Sequence, residues 1–402
     1  MSSVSSSSTS LCIGVVAPLT GRLAPLGAPL SYIVRTLAPR LPQVRNGGRR
    51  HNVTVTVRDS RSDPRAARQA VRELAGQDGA RIVLTMAGTR VLPAVTDACE
   101  QAGVPCVSTT FPWQAYFRAR GADPGHRFRW TYHFAWGLDD IARVFAGLWE
   151  GTDHRGPVGC LWNDDLQGVL LRHERYGFPP VASARGHTLA DLGPYREPAA
   201  DFRAQVDRMR VTGADVITSA ATATDLALFH RRAREAGLRP RLITCSRWLT
   251  YPHTSTAAPE VHGELADARV ATLVYWSPDH PYRSSLDGTG CAELAHAYRQ
   301  ATGSPWLQPL GLAHALLETA HHALATAADP TDRACVARAI AEVPADTIAG
   351  PLDWSRGPAP NIALLPLTGG QWHPGPDGPR LALVSNTGHP GLPLTGDLTP
   401  VR

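Results

Sequence analysis

Residues 11–21 read LCIGVVAPLTG: an unbroken apolar run from Leu11 to Ala17, then Pro-Leu-Thr-Gly. A short, β-branched run closed at once by turn residues reads as a buried strand and its exit turn. The residues downstream keep the same alternation. LSYIVRTLAPRL is helix-like, NVTVTVRDS alternates as a strand, and DPRAARQAVRELAGQ opens on an Asp-Pro helix start. ARIVLTMAG is a strand, VLPAVTDACEQAG a helix and VPCVSTT a strand. Strand and helix in strict alternation predict a parallel sheet with helices on both faces.

A second series follows FRWTYHFAW. It runs through a helix at GLDDIARVFAGLWEG, a strand at GPVGCLWND, a helix near DFRAQVDRMRVTG, a strand at ADVITSA, a helix at TDLALFHRRAREAG and a strand at RPRLITCS. A strand at RVATLVYWSP and three helices come later, so the chain is expected to cross between two α/β lobes more than once. The expected boundaries are a stub at 1–10, a first lobe of 11–133 with about 277–347, a second lobe of 134–276 with about 348–373, and a Pro/Gly-rich tail at 374–402. In open parallel sheets ligands bind beyond the carboxyl ends of the strands, which directs attention to the residues just after each strand and to an interlobe cleft.

Composition removes several functions. The 402-residue chain is 43% hydrophobic, enough for two or three cores, and has no apolar run of membrane-spanning length, so direct membrane insertion is not expected. Its net charge of +5 is scattered, which argues against nucleic acid as a partner. All 40 basic residues are Arg. Without lysine there is no Schiff-base or pyridoxal phosphate chemistry and no P-loop amine, and no cofactor is expected. The seven cysteines form no C-x-x-C pair and no zinc spacing, and read as core thiols of a reducing compartment. Residues 1–10 contain no basic residue and no apolar run, so the expected location is the cytosol.

The order of IGVVAPLTG, DPRAARQAVRELAGQDGARIVL, PAVTDACEQAGVPCVSTT, FRWTYHF, REAGLRPRLIT, AYRQATG, PLGLAHALLETA, DPTDRACVARAI and NIALLPLTGGQW resembles the type I solute-binding proteins of ABC transporters, in the leucine/isoleucine/valine-binding branch. The resemblance spans about residues 11–373. It implies the type I periplasmic-binding-protein fold: two doubly wound Rossmann-like lobes joined by three crossovers, closing as a hinged clamp on a small molecule. It implies ligand contacts from Leu19 and Thr20, from Met86, Ala87 and Gly88, and from Thr109 and Thr110 in the first lobe. From the second lobe it implies Asp164, Gln167, Ala221, Thr222, Arg247 and Trp248. A permease or a regulatory protein is the partner implied for reading closure.

The departures from the family pattern shape the ligand. Amino-acid binders place a carboxylate after the strand that here reads LITCSRW, whereas this loop carries Arg247 and no acid. Arg247 and Trp248, with Trp113, Trp136 and Trp276 near strand ends and crossovers, point to an anionic or aromatic organic acid rather than an α-amino acid. The favoured expectation is therefore a cytosolic sensor or carrier. An exported transporter subunit is one alternative. The other is an enzyme repurposed for cyclisation or proton transfer, using Asp164, His133 and Arg247.

Other constellations read as structural. Asp139 and Asp140 sit where a helix starts and are expected to cap it. His314, Glu318, His321 and His322 share a helix that the resemblance places on the lobe surface, and no second half of a metal site accompanies them.

Overall fold

A computed structural model describes residues 10–247, 264–266, 268–375 and 379–401; Trp248 lies outside them. The strands, in chain order, are β1 (Ser10–Ala17), β2 (Val44–Asn46), β3 (Arg49–Asp59), β4 (Ile82–Met86), β5 (Cys106–Thr109) and β6 (Thr131–Ala135). They continue with β7 (Val158–Leu161), β8 (Leu189–Asp191), β9 (Val216–Ser219), β10 (Leu242–Cys245) and β11 (Ala271–Val274). The last are β12 (Ala345–Thr347), β13 (Gly350–Leu352), β14 (Ile362–Leu364), β15 (Thr368–His373) and β16 (Arg380–Ser385).

The chain divides into two compact units. The first runs up to Ala135 and takes in Trp276–Leu365; the second comprises Trp136–Tyr275 and the chain from Pro366 onward. The first unit holds a seven-stranded sheet in the order β14-β6-β5-β4-β1-β3-β2, and the second a seven-stranded sheet in the order β16-β15-β11-β10-β9-β7-β8. In each, five consecutive strands run parallel in one doubly wound order, β3-β1-β4-β5-β6 in the first and β8-β7-β9-β10-β11 in the second. A parallel pair needs a crossover over the sheet face, and this is why the central strands β4, β7, β9 and β10 are buried at every residue.

Local chemistry explains the elements. Asp63 caps the helix Pro64–Gly76 by accepting from the amides of Arg65 and Ala66, as the Asp-Pro start predicts. Asp140 reaches back to the amide of Gly137 at 2.6 Å, so the Asp139–Asp140 pair is indeed a helix start. Gly47 and Gly48, both with positive φ, turn the β2–β3 hairpin. Six of the seven cysteines are buried and the seventh, Cys335, is half-buried.

Three expectations are corrected. Residues 348–365 belong with the first unit, because β14 pairs parallel to β6. The segment after residue 373 is more than a tail: Arg380–Ser385 forms β16 and pairs antiparallel with β15. The helix Pro309–Thr326, expected at the surface, is buried around most of its circumference, and the Glu318 carboxylate is tied to the amides of Ser285 (2.7 Å) and Ile348 (2.9 Å) and to His314 Nδ1 (3.0 Å). A helix apolar on nearly every side belongs in a core, and a buried carboxylate persists there because its lone pairs are filled.

Two packing details carry measurable consequences. Within that helix, Gly311 lies under the indole of Trp276: a Cβ there would come within 2.3 Å of Trp276 Cγ. His133 on β6 is fully buried and stacks on Tyr116 with ring centroids 4.6 Å apart. The Phe111 carbonyl, 2.9 Å from Nε2, can only accept, so Nε2 carries the proton and Nδ1 accepts from the Ser108 hydroxyl at 2.9 Å. Burial pushes this imidazole down to about 4, with the Phe111 hydrogen bond opposing and the Arg120 charge adding.

Helix propensity alone favours Ala over Gly by about 1 kcal/mol, but the clash at Trp276 reverses the sign. Gly311→Ala is expected to lower the unfolding free energy by ~1–2 kcal/mol in urea titrations; a stabilised variant would contradict the packing described. His133 is neutral when folded and protonates readily when unfolded, so its contribution is complete above pH 6.5 and is lost as pH falls towards about 4. That loss amounts to at most ~3 kcal/mol, and a His133→Gln variant should show a flatter stability profile across the window.

Candidate ligand site at the strand ends

Both sheets reverse strand order at the same place, between β1 and β4 in the first unit and between β7 and β9 in the second. Loops leaving the carboxyl ends on either side of such a reversal diverge and leave room for a ligand. Apart from Trp248, which lies outside the described residues, the implied contact residues fall at the carboxyl ends of these strands and of β5 and β10 or just beyond them.

In the first unit the β1 exit turn is held from outside its own sequence. Asp59, at the end of the neighbouring β3, accepts from the amides of Leu19 (2.9 Å) and Thr20 (3.3 Å), the Thr20 hydroxyl (2.6 Å) and the Arg61 amide (2.8 Å). Partial burial opposes its ionisation, yet these donors, the Thr20 hydroxyl foremost, hold the Asp59 carboxyl below the ordinary range. Ser62 completes the brace, donating to Thr20 O at 2.7 Å and accepting from the Leu23 amide at 2.9 Å. The Thr20 hydroxyl therefore serves the turn, while Leu19 stands exposed. Sequence reasoning missed Asp59 and Ser62; the signal was present in DSRS, which directly follows the strand that pairs with β1.

Met86 and Ala87 are buried, so they shape the β4 exit through backbone and bulk, with Gly88 beyond them half-buried. Thr109 donates to Phe134 O (2.7 Å) and Thr110 to Ala87 O (2.7 Å), stitching the β5 exit to its neighbours. Thr110 adopts φ +114°, a region that a β-branched residue occupies only under strain. Such strain persists where surrounding contacts fix it, and it clusters at ligand sites. Trp113, half-buried, opens the helix Trp113–Arg118 and meets the edge of Phe117. His133, named for the enzymatic alternative, has both ring nitrogens engaged inside this unit.

In the second unit Asp164 is exposed, with Arg196 Nε 3.7 Å away, and Asp165 caps the helix Leu166–Arg172, which carries half-buried Gln167. Ala221 is buried, and Thr222 caps the helix Ala223–Glu235 by accepting from the Asp225 amide. Arg247, after β10, forms a fork-to-fork pair with Glu197: Nη2 lies 2.9 Å from Oε1, and Nη1 contacts Oε2. Nη1 also reaches Ala220 O at 3.3 Å, and Asn163 donates to Glu197 Oε2 at 3.1 Å. Burial works against the guanidinium charge, yet the Glu197 contact holds it more firmly protonated than a free arginine.

Glu197 arrives from the segment between β8 and the next helix, fifty residues before its partner. No pattern near LITCSRW could have shown it. Around this pair stand Tyr195 and Asp225, both buried. Burial raises the Tyr195 phenol, and the Asp225 and Glu197 charges add to that. Burial also raises the Asp225 carboxyl, with the Ala199 amide opposing and the Glu197 charge adding. Tyr195 Oη and Asp225 Oδ2 are enclosed without a hydrogen-bond partner among the described residues.

The other tryptophans pack inside their units. Trp136 stacks on Tyr275 at 4.5 Å and 16°, and Trp276 covers Gly311 and meets the edge of Trp306. Both are buried, so any part they play is in placing the strand exits rather than in offering an open face. Among the described residues no group of three or more His, Cys, Asp or Glu side chains is placed to hold a metal, and no helix is long and apolar enough to cross a membrane.

Comparison with known proteins agrees with this geometry. The leucine-binding protein LivK of Thermotoga maritima superposes with a TM-score of 0.68 at 15% identity, over 92% of this chain and 97% of that one. A solute-binding protein of an R. palustris ABC transporter, in complex with 4-hydroxybenzoate, gives a TM-score of 0.69 at 14% identity, over 94% and 96%. Another from Rhodopseudomonas palustris BisB5, in complex with 3,4-dihydroxybenzoic acid, gives 0.65 at 15% identity, over 97% and 98%. No relative is found among curated protein sequences. The family model described as periplasmic binding protein matches residues 10–363, most of the chain. With that match, and with two units of one doubly wound order whose strand-end loops carry the expected residues, the chain belongs to the periplasmic binding protein family.

Proposed function

We propose that this protein is a non-catalytic solute-binding protein whose ligand is a small aromatic carboxylate bearing a ring hydroxyl. The observation that carries the reading is Arg247, a guanidinium fixed at the exit of β10 by Glu197 and Ala220 O. A fixed guanidinium loses little freedom on binding, and the donors that Glu197 and Ala220 O do not take, on Nε and Nη2, suit a carboxylate oxygen. Glu197 offsets the charge, so an anion meets a neutral pair rather than a bare cation. Two of the superposed proteins hold a hydroxybenzoate and a dihydroxybenzoate, which supports this class.

An α-amino acid fits less well. Both Glu197 oxygens already receive Arg247, and one also receives Asn163, which leaves this acid poorly placed to take a ligand ammonium. Seven thiols, none bonded to another, support a reducing compartment, where the protein would act as sensor or carrier through a partner that reads its bound state.

Calorimetric titration with 4-hydroxybenzoate tests the reading. Arg247→Ala removes the donors and leaves Glu197 unpaired, and is expected to weaken binding by about 30-fold or more, ~2 kcal/mol. Glu197→Gln leaves the guanidinium uncompensated and should tighten it. If 4-hydroxybenzamide bound the wild type as well as the acid does, and neither substitution altered affinity, a carboxylate ligand would be ruled out.

A further inference from the structure

The second unit has another concave surface, a cavity of about 640 Å³ at the opposite end of its sheet from Arg247. Arg239 and Pro240 lie just before β10 and Arg269 just before β11, so the cavity sits at the amino ends of two parallel strands, whereas Arg247 follows the carboxyl end of β10. His230 and Arg234, on the last turns of the helix Ala223–Glu235, form another side.

The charge of this cavity is unbalanced. Glu264 takes His230 Nδ1 at 2.6 Å and Arg234 Nη1 at 3.7 Å. Among the described residues no carboxylate lies within ion-pair distance of Arg239 or Arg269. Arg239 and Arg269 thus face the cavity with no carboxylate paired to them among the described residues. The local field acts on His373 as well: burial, then the Arg380 and Arg269 charges, push it down, with Asp397 opposing.

The walls are built rather than incidental. The fully buried side chain of Gln371 donates to Arg269 O at 2.8 Å and to Thr399 O at 3.0 Å, and accepts from the Thr399 amide at 2.8 Å. One amide group therefore fixes both Arg269 and the C-terminal segment that faces it. Val401 N donates to Arg241 O at 2.8 Å, which holds that segment down further along. Pro240, Pro374 and Pro400 supply flat apolar surface beside the charges.

We propose that this cavity is a second small-molecule site, separate from the strand-end loops, for a phosphorylated metabolite that carries a ring. Arg239 and Arg269 hold the phosphate by charge-assisted hydrogen bonds, and the ring lies on the proline wall. The volume is that of an ordinary metabolite pocket. The cavity and the strand-end loops are joined along the chain: Arg239 and Arg247 flank β10 and are connected by a run that spans at most about 29 Å. A ligand that fixes Arg239 thereby fixes the base of the strand that carries Arg247.

Calorimetric titration of the full chain with AMP, pyrophosphate and inorganic phosphate, at matched ionic strength, separates a nucleotide from a free phosphate source. AMP is expected to bind more tightly than inorganic phosphate. The Arg239→Ala, Arg269→Asn double variant should weaken AMP at least tenfold, whereas Arg247→Ala leaves it unchanged; Asn suits the positive φ of +44° at residue 269. Should the double variant fail to fold, Arg239→Glu, at an exposed position, gives the same readout. Equal binding of AMP and inorganic phosphate, or AMP binding unchanged by the arginine substitutions, overturns the proposal. Because hydroxybenzoate plays no part in these titrations, their outcome is independent of the ligand assigned to the strand ends.

Discussion

A parallel β-pair cannot be closed by a hairpin; each strand must be followed by a crossover that returns over the sheet, and the rest of this structure depends on that requirement. It explains why LCIGVVA and its successors are apolar on both faces. It also gathers the exits of the five wound strands of a unit along one edge. Because the two units repeat the same order, each presents its loops at a reversal between the first and third strands of the wind. Function is then left to a few residues per loop.

Those residues divide their work unequally. In the first unit the implied contacts that carry hydroxyls are spent on holding the loops: Thr20 on Asp59, Thr109 on Phe134 O, Thr110 on Ala87 O. What such a loop can offer a ligand is a fixed backbone and a shaped wall, which is what pre-organisation requires. In the second unit charge is placed rather than shape. Arg247 and Glu197 are paired, and Tyr195 and Asp225 stand beside them with polar atoms that have no partner among the described residues.

The fold was legible because its signals are local and periodic. The apolar run at 11–17, the Asp-Pro cap at 63–64 and the alternation of strand and helix each describe a few consecutive residues, and together they leave little choice of topology. The site was legible only in outline. Loops could be located from the ends of strands, and Arg247 could be singled out by its residue type. Its partner Glu197 is brought to it by tertiary structure across fifty residues, and the brace of Asp59 on Thr20 crosses thirty-nine. The burial of Trp136 and Trp276 was hidden for a related reason: a residue near a crossover can as readily be buried there as exposed, and periodicity does not distinguish the two. The boundary near residue 365 was missed because β14 is three residues long, too short to announce which sheet it joins.

The final strand has one more consequence. Among the described residues β16 is what pairs with the outer edge of β15, since β15 pairs with β11 on its other side. A chain ending before Arg380 would still contain every residue of the family match, yet it would display a bare row of backbone donors and acceptors along an apolar sheet. Such an edge recruits strands from other molecules. β16 thus closes that edge, and a shortened version trimmed to the recognised family region would be expected to stick to itself.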